Sequence, residues 1–455
     1  MQKLWAKTAL TKDGWQNDVL ISVAADGLIA NVTAASPSNG AARYGIILPA
    51  ATNLHSHAFQ RAMAGLTEAK GPDPRDSFWT WRKLMYRFLD HLDPDDIQSI
   101  SAFVQMEMLQ AGFAAVCEFH YLHHQPGGIA YDNLSEMAEH VIAAAQTTGI
   151  GLTLLPVMYQ FGGCDERSLT SGQIRFGNTP DQFADLVSQA GTNLKALPAD
   201  ARLGIAPHSL RAVNREGLRF ATTLLPDAPL HLHLAEQIAE VDEIKAAYGA
   251  RPVEWLLANY DVDARWCLIH ATQMTPSETT RLAKTGAIAG LCPLTESSLG
   301  DGIFDGLRYG DAGGRFGIGS DSNIRISLSE ELRTLEYSQR LRDKGRAMFA
   351  TADKSTGRAL YDQITAAGAT AANRNAGSIA AGKQADLLAL DLDATDLIGK
   401  SGDMLLDSYI FAGSDALISD VWSAGRHLVK KGAHIRQDTI TIQYRNTMKS
   451  LMRRI

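Results

Sequence analysis

Cysteine is scarce in this chain: four thiols in 455 residues, Cys117, Cys164, Cys267 and Cys292, too far apart to form a CxxC pair. That spacing argues against a disulfide framework and against a structural zinc, which usually relies on thiolates. Three of the four lie in apolar, strand-like runs, so buried free thiols in a reducing compartment are expected. Long apolar runs are missing too. No stretch reaches the roughly 18 residues needed to cross a bilayer, and Lys3, Lys7, Lys12 and Asp13 interrupt any signal-like N-terminus. Blocks of one charge are absent: the basic pairs Lys430-Lys431 and Arg453-Arg454 stand alone against a net charge of -7, which argues against nucleic-acid binding. There is no internal repeat and no low-complexity tract. The expectation is a cytoplasmic protein with neither a nucleic-acid nor a membrane partner.

What is present is ordinary globular material, 45% apolar and 20% charged, long enough for one large domain and a smaller one. Eight short apolar runs read as strands: 46–54, 114–121, 150–157, 201–207, 229–234, 265–270, 286–292 and 315–320. Helical patterns separate most of them. One begins at Asp93-Pro94, where aspartate can cap and proline fits the first turn; others run roughly over 133–147, 180–196, 238–259 and 329–343. This alternation predicts an α/β fold, a (β/α)8 barrel over 46–375, with a doubly wound sheet as the rival. The flanks differ. Residues 1–45 hold short β-like pieces around Asp26-Gly27, a hairpin signal, and 376–455 have the same character around 385–391 and 420–425. Together the two ends are expected to form one small, discontinuous β-rich domain.

Chemistry gathers at strand ends. His55 and His57 follow the first run, His233 ends the fifth, His270 the sixth and Asp321 the eighth. Residues two apart on a strand face the same side, and barrel sites form at the C-terminal strand ends. Three imidazoles and a carboxylate suit Zn²⁺ or another first-row divalent ion. His55, His57, His233 and Asp321 are therefore the expected ligands of one metal ion, with His231 as the alternative to His233. A water on such an ion loses a proton at a pKa of about 7. Asp321 can take that proton, Glu236 can carry one to a departing nitrogen, and His270 can orient the nucleophile or stabilise a tetrahedral intermediate.

The HxH after strand one, the histidine of strand five with a glutamate three residues on, the histidine of strand six and the aspartate of strand eight resemble the amidohydrolase superfamily, near its metal-dependent deaminases. Ala206-Pro207-His208-Ser209 carries no lysine after strand four, where two-metal members commonly have one, so a single metal is implied. Gly377-Ser378-Ile379-Ala380-Ala381-Gly382-Lys383-Gln384-Ala385-Asp386-Leu387 is similar to the superfamily's strand-rich companion domain. A narrower likeness lies in Asn53-Leu54-His55-Ser56-His57-Ala58-Phe59-Gln60-Arg61-Ala62-Met63-Ala64-Gly65, which resembles the signature of the formimidoylglutamate deiminase family. Glu118-Phe119-His120-Tyr121, Pro207-His208-Ser209-Leu210-Arg211 and the segment from Cys292 to Gly302 support it. Leu294 stands where that family commonly carries threonine or another small residue.

The resemblance implies hydrolysis of N-formimino-L-glutamate to N-formyl-L-glutamate and ammonia, a step of histidine degradation, in a homodimer acting on a small dicarboxylate. It points to Arg82, Tyr121, His208 and Arg211 for the two carboxylates and to Gln60 near the substrate backbone. Arginine suits this task because its planar fork grips carboxylates bidentately. Arg82 lies in an aromatic insert, Phe78-Trp79-Thr80-Trp81-Arg82, whose plainer reading is a helix on the barrel rim with Arg82 solvated. A deaminase of a nucleobase or related heterocycle shares the metal set but needs groups for a flat ring. A non-catalytic barrel scaffold would be expected to have lost ligands that this chain keeps.

Overall fold

The computed structural model describes residues 1–68 and 78–455. One half of a parallel sheet comprises Ala51–Ser56, Phe113–His120, Gly151–Met158 and a broken fourth strand, Arg202–Leu203 with Ala206–Pro207. The other half comprises Leu230–Leu234, Trp266–His270, Ile288–Leu291 and Arg315–Ile318. Parallel bridges join the halves on both sides, Ile205 to Leu230 and Ser209 to His233 at one seam, Ser56 to Asp321 at the other. Closure makes this the predicted (β/α)8 barrel and excludes the doubly wound sheet. All strands from Phe113–His120 onward match the predicted runs to within a few residues.

The helices cover the outside. Pro94–Gln110 begins as the sequence predicts: the Asp93 carboxylate accepts the Asp96 amide at 2.8 Å, and Pro94 needs no donor in the first turn. Its buried face, including Ile97, Ile100, Val104, Met108 and Leu109, packs into the main apolar core.

Both chain ends build an eight-stranded sheet in the spatial order Ala433–His434, Arg426–Lys430, Ile418–Ser423, Leu387–Leu390, Ala42–Pro49, Gln2–Thr11, Gly14–Val23, Ile29–Thr33. Leu4, Val19, Ile21, Ile47, Leu387 and Trp422 form its own core. Gly14–Val23 and Ile29–Thr33 flank the turn read at Asp26-Gly27, where the Asp26 carboxylate accepts the Leu28 amide at 3.1 Å.

Two features depart from the sequence reading. The run 46–54 is not one strand. Ala42–Pro49 pairs with Gln2–Thr11 and Leu387–Leu390 in the end sheet, and the barrel starts only at Ala51. Both sheets bury these residues, so apolarity alone carries no mark of the crossing, and the sheet boundary falls at Ala50 rather than at residue 46. The C-terminal segment is also not all strand. It contains the helices Asp403–Phe411 and Gln437–Arg454. The second lies back on the barrel helix Pro94–Gln110, with Tyr444 stacked on Phe103 at 3.9 Å and Arg454 bonded to Asp96 at 2.7 Å. Among the described residues, no helix is long and apolar enough to cross a membrane. All four cysteines are buried and unpaired.

Candidate active site

The strand ends do bring the expected donors together. His55, His57, His233 and Asp321 are buried, with one ligand atom from each lying within 4.8 Å of the others. The Asp321 carboxylate is 3.3 Å from Nε2 of both His55 and His57, and Nε2 of His233 is 3.1 Å from Nε2 of His55. His231 does not join them; its Nε2 faces the Ala371 carbonyl at 2.9 Å.

Local bonding prepares these rings as ligands. Nδ1 of His57 lies 3.0 Å from the Phe119 carbonyl, and Nδ1 of His233 lies 3.0 Å from the His208 carbonyl. Carbonyls only accept, so each Nδ1 carries the proton and each Nε2 presents a lone pair, the arrangement that metal-bound histidines use. Burial, first of all, holds His55, His57 and His233 below the usual imidazole range, hence neutral. Neutral nitrogens and a carboxylate crowded around one point fit a divalent first-row ion.

Beneath the donors the first and eighth strands are knotted by buried amides and hydroxyls. Asn53 donates to Ser320 Oγ at 2.6 Å and accepts the Ser320 amide at 3.1 Å. Ser320 Oγ donates to Asn323, and Asn323 donates to Ser56 Oγ at 3.1 Å. Gly319 permits the approach, because a Cβ there would sit 2.8 Å from that of His55. Backbone strain collects at the same rim. Ala235, His270, Ala271, Asp321 and Asn323 all have positive φ, between 45° and 71°, a conformation that costs non-glycine residues energy and clusters at functional sites.

Glu236 and His270 stand beside the donor group, with Nε2 of His270 3.8 Å from both Glu236 and Asp321. Burial alone would lower His270, but Glu236, Glu296 and Asp321 surround it with negative charge and hold it well above the ordinary value, as an imidazolium. Burial raises Glu236 to about 7, with Glu240 and Asp321 adding to burial and His270 opposing it. The backbone amides of Ala235 and Glu236 both donate to the Glu240 carboxylate, at 3.1 and 3.0 Å, fixing the turn. Glu296 accepts from His270 Nδ1 at 3.2 Å and from the Cys292 amide at 2.8 Å. Neither Glu240 nor Glu296 is singled out by the sequence reading, although both follow strand ends, where a buried carboxylate is a usable signal.

Above this group opens a cavity. Gln60, Arg82, Tyr121, His208 and Arg211 all line it, together with His57, His233, Glu236, His270 and Asp321. Gln60 donates to the Tyr121 hydroxyl at 2.8 Å. Arg82 is half-buried on the helix Phe78–Leu89 and donates to the Tyr159 hydroxyl at 3.1 Å, so the rim helix is real but its arginine faces the cavity. The side chains of Phe78, Trp79 and Thr80 lie outside the described residues. Among the described residues, Nε of Arg211 and Oε1 of Gln60 are buried without hydrogen-bond partners. Met85, Tyr86, Tyr159 and Phe176 join Trp81 of the aromatic insert and Leu299 in the wall; the first four are absent from the sequence reading, since apolar and aromatic residues between elements read equally well as core. Leu294 does not line the cavity; its amide bonds to Glu331 at 2.9 Å.

Residues 46–428 match the amidohydrolase family, and residues 1–45 match the N-terminal domain of formimidoylglutamate deiminase HutF. The chain belongs to the amidohydrolase family. A formimidoylglutamate deiminase from Pseudomonas aeruginosa is 45% identical over 96% of this chain and 97% of its own. An 8-oxoguanine deaminase from the same species is 27% identical over 76% of the chain and 75% of its own. Among solved structures, an amidohydrolase from Brucella melitensis superposes with a TM-score of 0.95 at 44% identity, over 99% of this chain and 100% of that one. An adenosine deaminase from Xanthomonas campestris with bound zinc has a TM-score of 0.82 at 21% identity, over 99% and 98%, a likeness of fold. The family is metal-dependent, and the His/Asp group is where this member can hold an ion.

Proposed function

We propose that this protein hydrolyses N-formimino-L-glutamate to N-formyl-L-glutamate and ammonia. The observation that carries the reading is a single cavity with a four-donor metal group at its floor and two arginines, Arg82 and Arg211, in its wall. A flat heterocycle has no use for two guanidiniums, whereas a dicarboxylate uses both. The P. aeruginosa deiminase, similar along nearly the whole chain, supports the same substrate.

His55, His57, His233 and Asp321 would hold one divalent ion, zinc by the nature of the donors. Such an ion supplies Lewis acidity, making water acidic at neutral pH and polarising the formimino group. The chain does the rest. Asp321 accepts the proton of the attacking water, whose oxygen bonds to the formimino carbon. His270, held as an imidazolium, steadies the charge that develops there. Glu236, raised to about 7 by burial, takes the second proton as that oxygen becomes the formyl carbonyl. This proton and the one held by Asp321 both pass to the imino nitrogen, which leaves as ammonia when the C–N bond breaks. His208 is kept neutral, by burial first and then by Arg211 and Arg82. It therefore presents hydrogen-bonding nitrogens rather than a third cation.

The test is ammonia release from formiminoglutamate beside release from cytosine, guanine and adenosine. Turnover of the amino-acid derivative alone supports the reading. Turnover of a base with no reaction of formiminoglutamate overturns it.

A further inference from the structure

Arg175 is among the largest fully buried side chains of the protein, and the chemistry described so far does not use it. Its Nε donates to the His124 carbonyl at 2.7 Å, one Nη to the Leu89 carbonyl and the other to the Leu92 carbonyl at 3.0 Å. Leu89 ends the helix Phe78–Leu89, and Leu92 lies three residues beyond. A buried guanidinium satisfied by carbonyls at a helix C-terminus meets the negative end of the helix dipole. It clamps that helix to the loop after the second barrel strand.

The same short turn, Ser171–Arg175, holds the helix at a second point. Gln173 donates to the Tyr159 hydroxyl at 3.2 Å, and that oxygen also accepts the Arg82 guanidinium at 3.1 Å. Gly172 lets the turn lie flat on the helix, since a Cβ there would come within 2.7 Å of the Tyr86 ring. The guanidinium of Arg82 sits over that ring, 5.4 Å from its centre. Ring contacts lead from the metal group toward Arg82: His233 to His208 at 4.9 Å, His208 to Tyr159 at 4.6 Å, then the Tyr159 hydroxyl to Arg82. Arg82 therefore stands at the end of the cavity away from the reacting carbon, where the side-chain carboxylate of a formimino amino acid would reach.

We propose that Arg175 and Gln173 are positioning residues that fix the rim helix and, through Tyr159, the guanidinium of Arg82, and so set selectivity for a substrate with a distal carboxylate. This rests on Arg82 binding that carboxylate. Loss of either tie leaves the metal group untouched but lets Arg82 wander, so binding of the distal charge suffers rather than turnover.

The experiment compares kcat and KM for N-formimino-L-glutamate and N-formimino-L-glutamine in Q173A, R175K, R82A and Q173A/R82A, with hydrogen exchange followed over residues 78–89. In Q173A and R175K, kcat/KM for the glutamate derivative should fall about 10–100-fold, mainly through KM. For the glutamine derivative it should change less than about 3-fold. R82A should abolish the preference, and Q173A should add nothing to it. Exchange over 78–89 should quicken in R175K while the barrel strands stay protected. Equal losses on both substrates, additive effects of Q173A and R82A, or a preference that survives in R82A would overturn the proposal. If the wild type ignores formiminoglutamate, the function assigned above fails separately. The exchange result then decides the clamp: faster exchange over 78–89 supports it, and unchanged exchange overturns it.

Discussion

Glu236 is the residue on which turnover should depend most sharply without affecting the metal. Glu236→Gln keeps the shape and removes the proton carrier, so kcat should fall about 10²–10⁴-fold with metal content unchanged. Stopped assays and elemental analysis on one preparation check this, and near-normal turnover would move the proton shuttle to another group. Arg211→Ala should raise KM for formiminoglutamate by at least an order of magnitude while metal remains bound; unchanged kinetics would remove Arg211 from the pocket. The histidines and Asp321 were legible at this scale because each lies at the end of an apolar run, where a strand must deliver it to one rim. Glu240, Glu296 and Tyr159 were not. Their roles depend on what faces them across the cavity, and spacing along the chain does not record that.

Between elements, the decisive contact is the seam of the first and eighth barrel strands, where Asn53, Ser320, Asn323 and Ser56 tie the HxH strand to the Asp321 turn. Buried amides of this kind hold ligands in register, and their loss typically weakens metal binding roughly 10–100-fold. Asn53→Ala should therefore release metal to a chelator faster than the wild type while still folding, as followed by metal-release kinetics and circular dichroism. Retention equal to wild type would deny the seam this role. The strand count was readable because the runs of the barrel are short, apolar and mostly separated by helical patterns, whereas the strand order was not, since a doubly wound sheet shows the same alternation. The junction at Pro49-Ala50 was not, because the chain passes from one buried sheet to another without a polar break. The helix Gln437–Arg454 escaped the β-rich reading because its apolar contacts belong to a barrel helix far away in sequence.

At the scale of the whole molecule, the barrel and the end sheet are held by a buried charge network. Asp200, just before the fourth barrel strand, accepts from Arg374 at 3.1 Å and from Arg426 of the end sheet at 2.7 Å, while Arg374 also grips Asp386 at 3.0 Å. Burial alone would raise the Asp200 carboxyl, but Arg426 and Arg374 outweigh it and hold it below the usual range. A carboxyl whose pKa is depressed on folding stabilises above its unfolded value, about 3.9, and loses that contribution as pH falls through the native value. Asp200→Asn should cost about 3 kcal/mol at pH 7, as expected when one partner of a buried pair is removed. The difference from wild type should close as the pH drops below about 4. Urea denaturation midpoints across pH 3–7 measure this; a gap that stays constant with pH would contradict the linkage.

The central claim is that three imidazoles and one carboxylate from distant strands hold one ion that the deimination requires. Elemental analysis and ammonia release from formiminoglutamate, measured on the same samples of wild type and His233→Ala, test it most directly. The expected result is one equivalent of a divalent transition metal per wild-type chain with rapid ammonia release, and loss of both in the variant. Ammonia release from wild-type protein that holds no metal, or full metal and activity in His233→Ala, would contradict it.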